Sequence, residues 1–201
     1  MPLQEKRTVY LNYHNLGFGP QVGINKINPI IFSDHVRLIR HTLLNDNNLE
    51  IVMTFDDGYE NIYNYAYNEL NNNSKIKKKI FIIKNYIGCQ NSWDFSFSLN
   101  RYRHLNKKQI IKLSNNDWEI GSHGVTHRSF LSMDKVSAKE EIVSSKKYLE
   151  DLTGEAIKSI APPFSDIDQW VYDVCVEAGY EYIFIQKKIN INTLKETKLI
   201  L

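Results

Sequence analysis

IVMTFDDGYENIY, residues Ile51 to Tyr63, joins an apolar run to two adjacent aspartates and a glycine. Its first five residues are apolar except for Thr54, the composition of a strand buried on both faces of a sheet. Asp56 and Asp57 follow at once, then Gly58, then a helical run from Glu60. A buried strand running through a short turn into a helix is the unit from which parallel α/β folds are built. Asp-Asp-Gly is also a common polar turn, so the pair alone does not identify a site.

The same alternation recurs on both sides of this stretch. TVYLNYH (Thr8–His14) reads as a first strand, and Asn28-Pro29 opens a helix through Leu44 with Ile31, Val36, Ile39 and Leu43 roughly on one face. Glu50–Phe55 is the second strand, Glu60–Leu70 a helix ended by NNNS, and KKIFII the third strand. Residues Lys75 to Lys79 read as a solvated connection between that helix and strand. Asn85 to Leu105 has aromatics but no period, which predicts a long loop of the kind that often serves function. Asn106 caps the helix KKQIIKLS, WEIGS is a fourth strand, and Ser132 caps a long helix ending at Gly154. KSIA is a fifth strand, Asp166 or Asp168 starts a helix that stops at Gly179, and YIFI is a sixth strand. The closing QKKINININTLKETKLIL is weakly patterned, where a barrel would need closing elements. No repeat or linker divides the chain, so residues 1–201 are read as one domain of parallel strands and outer helices, an open sheet or a closed barrel.

Composition excludes several classes. Charged residues are 24% of the chain and the net charge is +2, which gives no electrostatic argument for a nucleic-acid partner. Two cysteines, Cys89 and Cys175, cannot make a disulfide framework, and Cys175 reads as core packing. The N-terminus lacks the apolar core of a secretory signal and no run reaches the length of a membrane span. The expectation is a cytoplasmic protein.

The residues able to do chemistry follow the C-terminal ends of the expected strands. His14 ends the first, Asp56 and Asp57 follow the second, His123 and His127 the fourth, and Pro162 to Phe164 the fifth. In parallel α/β folds the loops at that rim converge on the active site. HGVTH sets two imidazoles four residues apart, able to share one cation if the segment is helical, with Cβ atoms about 5–6 Å apart. The alternative is a pair of exposed histidines at a helix start. A zincin signature is excluded, because Gly124 stands where that motif needs glutamate. One aspartate with two histidines leaves open positions on a zinc-like ion for water and substrate. The second aspartate is then available to take a proton as general base.

At these residues the sequence resembles the polysaccharide deacetylases, the NodB-homology family of carbohydrate esterases. TFDDGY (Thr54–Tyr59) matches the family's first motif, SHGVTH (Ser122–His127) its second, and APPFS (Ala161–Ser165) resembles its third. WEIGSH, SKKYLEDLTG and EAGYEYIFI look like the family between those motifs. The resemblance implies a distorted (β/α) barrel, incompletely closed if the C-terminal stretch adds nothing. It implies hydrolysis of an acetyl group from a sugar with a divalent ion, most simply Zn2+. Asp56 would be the base, Asp57, His123 and His127 the metal ligands, and the Phe164 backbone N–H an oxyanion donor.

Two departures stand out. Ala161 occupies the place of an arginine that braces the base, and no histidine follows His127 to serve as the family's late general acid. Both departures resemble the branch of poly-N-acetylglucosamine deacetylases, where a Tyr-His on the first strand supplies the acid. Tyr13-His14 fits that position, which makes His14 the candidate acid; the alternative is a strand-end histidine packed under a loop. Trp93, in NSWDFSF, is the candidate for a wall of the acetyl pocket or of the sugar face, with loop packing as the alternative. Trp118 and Trp170 read as core, and His35, His41 and His104 receive no role. The function expected is a sugar N-deacetylase acting on a cytosolic precursor in surface-glycan synthesis. The alternatives are an inactive carbohydrate-binding relative or an amidase on a non-sugar amide.

Overall fold

A computed structural model describes residues 7–19, 26–71, 75–92, 101–186 and 199–200. In chain order the first part forms β1 (Arg7–Tyr13), β2 (Asn15–Leu16), β3 (Lys26–Ile27), α1 (Pro29–Asn45), β4 (Leu49–Phe55), α2 (Glu60–Tyr65), α3 (Tyr67–Asn71) and β5 (Ile76–Ile82). There follow α4 (Lys107–Ser114), β6 (Trp118–Ser122), α5 (Lys135–Thr153), β7 (Ser159–Ile160), α6 (Gln169–Glu177), β8 (Tyr182–Phe184) and β9 (Leu199–Ile200). These elements fall into two compact units, Met1–Ile80 with Gly88–Glu119 and Phe81–Ile87 with Ile120–Leu201. Among the described residues, no helix is long and apolar enough to cross a membrane.

In the first unit the strand order is β1-β4-β5 and both pairings are parallel. The register runs from Arg7↔Leu49 to Tyr13↔Phe55, which brings the ends of β1 and β4 level. Helix α1 begins where Asn28 accepts the Ile30 N–H and Pro29 presets the first turn. Phe32, Val36, Ile39 and Leu43, spaced three or four apart, are its buried stripe. The core beneath is aromatic: Tyr13 stacks on Phe55 at 5.6 Å and meets the edge of Phe32 at 5.3 Å, and Phe55 lies 5.4 Å from Trp118. Trp118 is buried, and its indole N–H donates to Asn71 Oδ1 at 2.8 Å. Asn106 and Gln109 cap α4 reciprocally, each side chain accepting the other's backbone N–H.

The lysine run is not the solvated connection expected from its charge. Lys77, Lys78 and Lys79 lie inside β5, and Lys78 and Lys79 are buried. Lys77 stays exposed and pairs with Glu50, whereas the Lys79 stem is covered while its ammonium group reaches Glu119. The helix expected over Glu60–Leu70 is likewise two short helices, interrupted at Ala66.

In the second unit the order is β6-β7-β8-β9, with parallel pairs Ser122↔Ile160, Ile160↔Ile183 and Phe184↔Ile200 among them. Strand β9 adds a parallel strand beside β8, which the weak pattern of the last residues does not announce. Phe81, Ala161 and Phe184 pack as one cluster, and a Cβ on Gly121 would stand 2.5 Å from Phe81 Cδ1. That position therefore needs glycine for space. Helix α5 is capped by Asp134, which accepts from the Val136 and Ser137 N–H groups; Ser132 sits in a single 3-10 turn before it. Asp168, one of the two expected caps, starts α6. Cys175 is fully buried on α6, as expected, whereas Trp170 is half-buried beneath the Lys135 ammonium rather than core.

Candidate functional site

The first unit gathers His14, Asp56 and Asp57 at the ends of β1 and β4. The Asp56 N–H donates to the Tyr13 carbonyl at 2.9 Å, carrying the ladder one residue past β4. Asp57 and Gly58 then take left-handed conformations, φ 67° and 66°, and reverse the chain. Aspartate tolerates that region better than most side chains, yet it still costs about 1–2 kcal/mol. Asp56 and Asp57 are both buried.

Asp56 is held from β1. Asn12 on β1 and His14 just past its end, two residues apart, both approach Asp56 Oδ2. Asn12 Nδ2 donates to it at 3.1 Å, and Thr54 Oγ1 donates to Asn12 Oδ1 at 2.7 Å. A carboxylate only accepts, so the amide orientation of Asn12 is determined by its partners. His14 Nε2 lies 3.8 Å from the same oxygen, within ion-pair reach when protonated, and its side chain is 22% exposed. His104 Nδ1 lies 2.8 Å from the carbonyl oxygen of Asp57. Of the other histidines, His35 meets the Tyr13 hydroxyl at 3.3 Å and His41 lies beside Asn45 on the outside of α1.

The second unit holds His123 and His127. His123 follows β6 and donates its backbone N–H to the Ile82 carbonyl at 2.9 Å. Its Nδ1 is 2.6 Å from the Ala161 carbonyl. That oxygen only accepts, so Nδ1 carries the proton and the neutral ring's lone pair is on Nε2, the form a metal-ligating histidine takes. The segment between the two histidines is not helical: Gly124 and His127 have φ of 77° and 60°. Glu141, from α5, clamps that loop instead. Its Oε2 accepts the Val125 and Thr126 N–H groups at 2.6 and 2.9 Å, and its Oε1 accepts the Thr126 hydroxyl at 2.6 Å. The imidazoles still meet, with ring centroids 5.2 Å apart and ligand nitrogens within 4.8 Å of each other.

The PPF segment lies beside the pair. Phe164 has φ 60°, is exposed, and sets its ring 5.1 Å from that of His127. Ala161 contributes its main-chain carbonyl to His123 and carries no cation. Trp93 falls outside the described residues. Sequence reasoning missed Asn12, Glu141 and His104. A polar residue amid a strand, Asn12 two before His14, was the available signal for the first, and no local pattern marks the other two.

The profile of the family described as polysaccharide deacetylase matches residues 45–183. YxkH of Bacillus subtilis, which carries that family's name, is 24% identical over 131 residues, 65% of this chain, and this chain spans 42% of its length. The Streptococcus pyogenes deacetylase PplD in complex with acetate superimposes with a TM-score of 0.72 at 18% identity, covering 89% of this chain and 83% of that one. IcaB from Ammonifex degensii gives 0.78 at 16% identity, covering 98% and 91%. The fold is theirs, the distorted (β/α) barrel of the NodB type.

Proposed function

The chain belongs to the polysaccharide deacetylase family, and on that premise we propose that it hydrolyses the acetyl group of an N-acetylated sugar or glycan. Asp57, His123 and His127 are the residues that would hold a divalent cation, and one carboxylate with two imidazoles suits Zn2+. Bound there, such an ion supplies a Lewis acid for the acetyl carbonyl and eases deprotonation of water. The chain's own groups do the rest. Asp56 takes the proton of the attacking water, with Asn12 holding its Oδ2 in place. The Phe164 N–H donates to the acetyl oxygen as negative charge grows on it. His14 protonates the departing nitrogen as the C–N bond breaks, so acetate and the amino sugar leave.

The observation that carries this reading is the histidine pair, with His123 held by Ala161 in the tautomer that ligates through Nε2. The test is an acetate-release assay on a panel of N-acetylated sugars, with elemental analysis of the same sample. One bound divalent ion and turnover are expected, both lost in Asp57→Ala. Retention of metal and full activity by that variant would sink the mechanism. Small cyclic amides in the same panel separate a sugar deacetylase from a general amidase.

Ala161 favours a second reading, a carbohydrate-binding relative with no turnover, because no guanidinium comes from that position to the base. Stoichiometric metal without acetate release from any sugar in the panel is the result that reading expects.

A further inference from the structure

His104 lies against the turn that carries both aspartates. Leu105 N–H donates to the Gly58 carbonyl at 2.9 Å, and Glu60 N–H to the Arg103 carbonyl at 2.8 Å. Between these two bonds, His104 Nδ1 reaches the Asp57 carbonyl at 2.8 Å. A carbonyl only accepts, so the bond requires a proton on Nδ1. The ring that makes it is anchored on other sides: it is buried and stacks on Tyr59 at 4.8 Å and 25°. The Tyr59 hydroxyl accepts from Asn91 Nδ2 at 2.7 Å, and the His104 N–H donates to the Cys89 carbonyl at 2.9 Å.

Asp57 needs such an anchor. Its φ of 67° is unfavourable for a residue with a Cβ and persists only where the surroundings over-determine it. Relaxing φ of Asp57 by rotation about its N–Cα bond would carry the carbonyl away from His104. The same rotation would change the direction in which the Asp57 carboxylate leaves the backbone.

We propose that His104 is a positioning residue: its Nδ1–H holds the Asp57 carbonyl, keeps Asp57 left-handed and thereby aims its carboxylate. The inference rests on the reading of Asp57 as a cation ligand, and its chemistry is that of an outer hydrogen bond which orients a ligand. Two substitutions separate the bond from the packing. His104→Phe keeps a ring against Tyr59 and removes the donor. His104→Asn removes the ring and keeps an amide N–H close to the place of Nδ1.

The test uses the full chain, with Zn2+ as the probe. Zn2+ dissociation constants are measured by competition with a chromophoric chelator on each variant shown folded by circular dichroism, and crystal structures report the Asp57 backbone. His104→Phe is expected to weaken Zn2+ about 10-fold or more and to move Asp57 out of the left-handed region, while His104→Asn stays within about 3-fold of the parent. Asp57 left-handed in His104→Phe, or His104→Asn as impaired as His104→Phe, would overturn the proposal. If His104→Phe does not fold, His104→Met takes its place with the same expectations. Asp57→Ala is the control: should it bind Zn2+ as tightly as the parent, the cation reading fails, and the Asp57 backbone in His104→Phe still decides the positioning claim.

Discussion

The side-chain amide of Asn12 donates to Asp56 Oδ2 at 3.1 Å, and the hydroxyl of Thr54 donates to the other end of that amide at 2.7 Å. The register Asn12↔Thr54 between β1 and β4 sets both bonds, and the strand ladder continues to Asp56 itself. A neutral amide thus orients the carboxylate where the family resemblance leads one to expect an arginine.

Hydrogen bonds to charged groups contribute about 1.5–3 kcal/mol, so Asn12→Ala is expected to lower kcat about 10- to 100-fold with KM little changed. Steady-state kinetics on an N-acetylated sugar decide it. Asn12→Asp should be worse than Asn12→Ala, because it sets a second anion against Asp56 Oδ2. Equal activity of Asn12→Ala and the parent would remove Asn12 from the mechanism.

Glu141 is buried and accepts three hydrogen bonds from Val125 and Thr126. Glu141→Ala leaves two backbone donors without their acceptor, at about 1–3 kcal/mol each. A fall of several degrees in melting temperature is expected, together with weaker Zn2+ binding because the loop joining the two histidines loosens. Glu141→Gln, which keeps one acceptor oxygen, should fall between. A stable Glu141→Ala protein with unchanged Zn2+ affinity would show that the loop holds itself.

Gly121→Ala probes packing alone. The new methyl would meet Phe81 Cδ1 at 2.5 Å and the Ser159 carbonyl at 3.2 Å. Over-packing of this kind destabilises by about 1–3 kcal/mol, to be read as a lower urea midpoint with an unchanged m-value. An unchanged midpoint would mean that the Phe81–Ala161–Phe184 cluster relaxes around the methyl.

The two cysteines should differ in chemistry. Cys89 is exposed, whereas burial of Cys175 raises its thiol pKa from 9.0 to about 12. At pH 8 iodoacetamide is expected to modify Cys89 in the native protein and both residues after denaturation, as mass spectrometry would show. The raised value also gives a sign for stability. The native state keeps the Cys175 proton more tightly than the unfolded chain, so its contribution is complete below pH 9.0 and is lost as pH rises toward about 12. Native-state labelling of Cys175 at the rate of Cys89 would contradict its burial.

Much of this was legible locally. Asn28-Pro29 and Asn106 are helix starts written in local residues, and both cap as expected. Asp134 rather than Ser132 caps α5 because Ser132 is taken up in the 3-10 turn Phe130–Ser132; Ser and Asp favour a cap about equally, so propensity did not separate them. The HGVTH pair is instructive in a different way. Helical spacing predicted that the imidazoles could meet; they do meet, but through a loop clamped by Glu141. The lysine run misled because charge was read without partners, and Glu50 and Glu119 lie on other strands.

Period, composition and short motifs were enough to give the β–α alternation, the family, and the residue types at the strand ends. Only the tertiary structure decided what holds those residues. Asn12 with Asp56, His104 with Asp57, Glu141 with the loop at Val125 and Ala161 with His123 are pairs separated by 44, 47, 16 and 38 positions. Such partners depend on strand register and helix placement, and a hydrogen bond has no meaning until both atoms are within about 3 Å. A period in sequence says which face a side chain occupies; it does not say which neighbour that face will meet.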